Sequence, residues 1–168
     1  TMGLAMSEAA TLGEGVLSAD ALKAANVHPD TGLATDYLNH FNEVVMLLEM
    51  LPDMPDFAED VLAWEPVGYE EHFERTNYVG KETVIAAYAA VDYALKAHLE
   101  TIVAAVNVEL QRAQDKVRDG DFAGASAMAG SEIESLLAAA RAAVQGRIEG
   151  EGIDDSAAAQ AAADALFD

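Results

Sequence analysis

The sequence predicts an all-α fold: an irregular up-and-down helical bundle with one very long helix, about residues 81–119, and several short helices. Two observations carry this. Alanine occupies 35 of the 168 positions and proline only four, and alanine is the strongest helix former because it gives up no side-chain entropy in a helix. The second observation is periodicity. Val84, Tyr88, Val91, Leu95, Leu99, Ile102, Val106, Leu110, Ala113 and Val117 follow one another at steps of three or four, which places ten positions on one helix face. At about 1.5 Å per residue such a helix spans roughly 55 Å. A compact domain of this length is roughly 30 Å across. The helix therefore either kinks or packs against something beyond the local core.

The elements follow in order. Residues 1–17 are small, contain glycine and lack a period, and read as a tail. Ser18 and Asp20 supply capping chemistry for a short helix to Asn26. His28-Pro29-Asp30-Thr31-Gly32 is a turn. A helix is expected from Leu33 to Leu51, with Tyr37, Phe41, Val44, Leu48 and Leu51 on one face. Its second half, from Val44, is apolar nearly all round and is expected to be covered on all sides. Pro52 and Pro55 end it, a short helix runs to Trp64, Pro66 breaks that, and another covers Tyr69 to Thr76. After the long helix, Asp119-Gly120-Asp121 closes it and a helix weakened by Gly124 and Gly130 follows. Ser131 with Glu134 reads as a capping box for a helix to Ile148. The bundle domain is thus residues 18–149, and 150–168 form a linker and an Ala-rich C-terminal helix or tail.

Composition excludes several functions. Acidic residues number 30 and basic residues nine, a net charge of −21 at pH 7. Nucleic-acid binding draws its affinity from Lys and Arg displacing counterions, and residues 1–80 hold only Lys23 and Arg75 against 15 acids. Neither nucleic acid nor an anionic membrane surface is expected as a partner. No apolar run approaches the roughly 18 residues of a membrane span. With no Cys, disulfides and thiolate sites are impossible. Residues 1–16 have no basic stretch ahead of an apolar one, so no secretory leader is read there and a cytoplasmic chain is expected.

No catalytic motif and no cofactor signature stand out. The first functional expectation is protein–protein contact, most simply a homodimer. Met46, Met50 and Met54 recur every four residues, and methionine makes adaptable binding surfaces. With Leu95, Leu99, Ile102, Val106 and Leu110 of the over-long helix they form the expected interface. The alternative is a metal- or small-ligand-binding bundle that uses His40, Glu43, Glu49 and His72, because imidazole and carboxylate side chains on facing helices are how bundles hold ions. Asp36 shares the His40–Glu43 face. Glu49, flanked by apolar residues, is the acid expected to be buried. Di-iron bundles use a Glu-x-x-His step, which is absent from this sequence. His98-Leu99-Glu100 resembles the phosphorylated His and following acid of a kinase dimerisation helix, a role that requires an exposed imidazole.

Overall fold

The computed structural model describes residues 10–147, and the described residues contain helices and turns but no strand. Eight α-helices are present among them: α1 (Ala19–Ala24), α2 (Asn39–Met50), α3 (Ala58–Ala63), α4 (Tyr69–Arg75), α5 (Lys81–Ala89), α6 (Tyr93–Arg118), α7 (Phe122–Ala129) and α8 (Glu132–Val144). The all-α bundle expected from the sequence is therefore present. No helix among the described residues is long and apolar enough to cross a membrane.

The very long helix expected over about 81–119 is two helices. The chain leaves helical geometry after Ala90, and the Asp92 carboxylate accepts the Leu95 N–H at 3.3 Å to cap a new helix. An N-cap aspartate satisfies donors that a helix start would leave bare. The apolar stripe survives the break, and all ten of its positions are buried. α6 alone has 26 residues, or about 39 Å, which a bundle of this size can bury on one side.

α6 is the centre of the bundle. It packs against α8, α7 and α3, while α2 lies on α7 and α5 packs against α1 and α4. Leu99, Val106, Leu110, Ile133 and Leu137 are all but fully buried, and each such aliphatic side chain contributes roughly 1.5–3 kcal/mol relative to exposure. Alanines 140, 142 and 143 of α8 are also buried, so that helix approaches its neighbours closely.

The turn before α2 locks two ends of the bundle together. Thr31, the buried polar residue of the core, donates from Oγ1 to the Val144 carbonyl at 2.7 Å and accepts from Leu33 N at 3.1 Å. It thereby satisfies a carbonyl that the end of α8 would otherwise leave open. Next to it Gly32 has φ +81°, and a Cβ there would come within 2.9 Å of Leu12 Cδ2 and 3.2 Å of Val91 Cγ2. Only glycine fits both the backbone and the space.

Four further expectations change. Leu17 is wholly buried and Leu12 packs on the core, so the core begins inside the segment read as an N-terminal tail. The helix expected from Leu33 starts at Asn39 after a 3-10 turn over Thr35–Leu38. The Ser131–Glu134 capping box does not form: Ser131 makes no cap bond and donates instead to Ala127 O at 2.8 Å, while Glu134 pairs with Arg141. The second half of α2 is covered on only part of its surface, because Met46 is 58% and Met50 37% exposed. The Ala-rich segment after Gly150 lies outside the described residues.

Candidate functional site

The chain from Trp64 to Tyr69 crosses α2 and its preceding turn, and four hydrogen bonds latch it there. Trp64 Nε1 donates to the His40 carbonyl at 2.9 Å. His40 Nε2 lies 2.6 Å from the Glu65 carbonyl. Tyr37 donates to the Val67 carbonyl at 2.8 Å, and Tyr69 Oη accepts from Ala34 N at 2.7 Å. Pro66 cannot continue a helix, which turns this stretch into an extended strap. From below, the Gln114 amide of α6 donates to the carbonyls of Val61 and Trp64 at 2.9 and 3.0 Å, closing the end of α3.

Aromatic rings fill the space beneath the strap. His40 stacks on Trp64 with centroids 4.8 Å apart, Tyr37 meets Phe41 edge-on at 5.3 Å, and Tyr69 stacks on Tyr88 at 4.2 Å. Offset and edge-on arrangements are those that ring quadrupoles favour. Burial pushes the Tyr37 hydroxyl up to about 12, and the Glu100 charge adds to this. Burial also raises Tyr69 and Tyr88, and Tyr88 donates to Glu100 at 2.8 Å, which holds its proton further.

The His72 ring sits edge-on to Phe73 and Tyr37, and its Nε2 is 3.1 Å from Asp36 Oδ2, with side-chain exposures of 12% and 32%. A carboxylate and a carbonyl can only accept. The contacts of His72 with Asp36 and of His40 with Glu65 therefore fix the ring hydrogen on Nε2 in both histidines. In the neutral rings each Nδ1 is then an acceptor. The two rings lie 6.2 Å apart.

Two connected depressions open along this surface. The larger, about 880 Å³, is a groove with Met46, Leu47 and Met50 of α2 on one wall and Ala63 and Trp64 on the other; Glu43, Asp60 and Glu65 stand along it. The smaller, about 370 Å³, is lined by Asn39, His40, Glu43, Val67, His72, Arg75 and Thr76. They share Asn39, His40, Glu43 and Arg75.

The structure sorts the residues singled out by sequence. His40, Glu43 and His72 come together around the smaller hollow, whereas Glu49 is exposed away from it. Glu49 was expected to be buried; its neighbours Val45 and Leu48 turn inward and leave it on the outer face of α2. Among the described residues no three His, Asp or Glu side chains are arranged to hold a metal ion. Met46, Met50 and Met54 are exposed, at 58, 37 and 49%. Leu95, Leu99, Ile102, Val106 and Leu110 were expected at an interface between chains. They are buried in the core of this one chain, because α7, α8 and α3 already cover that face of α6. His98 Nε2 is buried without a hydrogen-bond partner, so this nitrogen is not presented to solvent as phosphotransfer would require. Trp64, Tyr69 and Gln114 were missed as site residues. The Trp-Glu-Pro sequence carried the only signal, a large aromatic held just before a helix break. Comparison with protein-family models, with curated proteins and with solved structures found no match.

Proposed function

We propose that this protein works through protein–protein contact, with the groove between α2 and Trp64 as its contact surface. The observation that carries the reading is the exposed methionine row, Met46 and Met50, set along a groove that ends on the only tryptophan of the chain. Methionine is flexible and polarisable, so a surface built from it adapts to a partner. Aromatic side chains in a trough supply the anchoring area that interfaces concentrate. The leucine and valine stripe of α6 takes no part, since it is core. In the homodimeric form of this reading, Met46, Met50 and Met54 meet their own copies across a two-fold axis.

Affinity capture with the wild-type chain and with a Met46→Glu/Met50→Glu variant tests the reading. Proteins retained by the first and lost by the second are expected. An identical retained set would remove the groove from consideration. Native mass spectrometry of both chains reports whether a second copy is the partner.

A second reading, binding of a small ligand, rests on the convergence of His40, Glu43 and His72 on one hollow. A small molecule retained by the wild-type chain in native mass spectrometry and absent from His72→Gln supports it. Equal retention by both chains rejects it.

A further inference from the structure

The groove has a charge as well as apolar walls. Between Lys23 and Arg75 the sequence contains no Lys or Arg at all. Every wall residue from α2, α3 and the strap therefore comes from a segment without a cationic Lys or Arg. Glu43, Asp60 and Glu65 line the trough, and among the described residues none of them is in an ion pair with a Lys or Arg. Arg75 stands where the groove meets the smaller hollow and lies 3.7 Å from Glu71.

From these observations, and resting on the contact reading above, we infer that the partner of the groove is an amphipathic helix with a basic polar face. Its apolar side chains pack on Met46, Leu47, Met50 and Trp64, and its Lys or Arg side chains reach Glu43, Asp60 and Glu65. A helix laid in a groove presents apolar anchors at steps of three, four and seven residues, and Met46, Leu47, Met50 and Trp64 line the groove to receive them. A chain with net charge −21 draws a basic segment in from a distance. A second copy is a poorer occupant, since it carries the same −21 and sets carboxylates against carboxylates.

The test uses the full chain and four tryptophan-free synthetic peptides, so that Trp64 is the only indole present. Three share one Leu/Phe apolar face and carry Lys, Gln or Glu on the polar face. The fourth scrambles the Lys peptide so that it has no apolar face. Trp64 emission is followed on titration. The expected result is a shift to shorter wavelength with the Lys peptide, with affinity at least about tenfold tighter than for the Gln and scrambled peptides. The Glu43→Gln/Asp60→Asn/Glu65→Gln variant is expected to weaken it about tenfold, and Met46→Glu/Met50→Glu to abolish it. Equal binding of the scrambled Lys peptide overturns the inference, because net charge then explains the attraction. Equal or tighter binding of the Gln or Glu peptide also overturns it, yet leaves the groove as a contact surface. A native dimer that dissociates in the methionine variant does the same, by placing a second copy there. No response to any peptide, with an unchanged captured set in the methionine variant, overturns both.

Discussion

Trp64 holds His40 twice: the indole N–H donates to the His40 carbonyl at 2.9 Å, and the His40 ring stacks on the same indole at 4.8 Å. One residue thus fixes both the backbone and the side chain of α2 at the mouth of the groove. Trp64→Leu removes the stack and the donor together and is expected to cost about 2 kcal/mol in denaturant unfolding. His40→Phe keeps a ring over the indole and loses only the bond to Glu65, for about 1 kcal/mol. A Trp64→Leu chain as stable as wild type would show that the strap is held without the indole.

Gln114 closes α3 with a single amide nitrogen that serves two carbonyls, those of Val61 and Trp64. Gln114→Ala leaves both without that donor and is expected to lower stability by about 1–2 kcal/mol. Gln114→Glu places a carboxylate against the same carbonyls and is expected to cost more. Urea midpoints for the two variants check the order, and a reversed order would contradict the donor role.

Gly32 combines a left-handed φ with close contacts to Leu12 and Val91. Gly32→Ala is expected to destabilise by about 2 kcal/mol, since alanine meets both strain in the backbone and crowding at Cβ. Thermal unfolding checks this, and a neutral result would mean that Leu12 moves aside freely.

Buried tyrosines tie stability to alkaline pH. The Tyr37 hydroxyl is raised by burial from 10.0 to about 12, and burial raises Tyr69 and Tyr88 in the same direction. A hydroxyl that holds its proton more tightly when folded stabilises the fold fully below its unfolded value of about 10. That contribution drains away as pH climbs from about 10 toward about 12. Helix content is expected to fall together with the ionisation of the buried tyrosines, followed by tyrosinate absorbance over this window, apart from that of the exposed Tyr93. Ionisation of these tyrosines with no loss of helix would refute the coupling.

The helical character and the core were readable because both depend on short-range periodicity. Val84 through Val117 lie inward as their spacing required. The break at Asp92 was not, because a three-residue interruption preserves that spacing and Asp92 resembles any exposed helix acid until it is seen capping Leu95. The candidate site was readable only in pieces. His40 and Glu43 share a helix face by spacing alone, but His72 reaches them through the strap, and that path depends on long-range bonds from Tyr37, Trp64 and Gln114. Periodicity also could not say what covers an apolar face, which is why the α6 stripe looked like an interface until α7 and α8 were seen lying on it.

The interruption between α5 and α6 has a consequence for how the chain tolerates change in length. Both helices present their apolar faces to one interior, and the three residues between them, Ala90 to Asp92, join two helices that begin and end independently. Because those residues are not helical, an added residue is not forced to turn α5 by a helical step relative to α6, and Val84 and Tyr88 can stay in the core while the connection bulges. The connection is therefore tolerant of how many residues it contains and demanding about two of them: Val91, which is buried, and the residue preceding α6, which caps it.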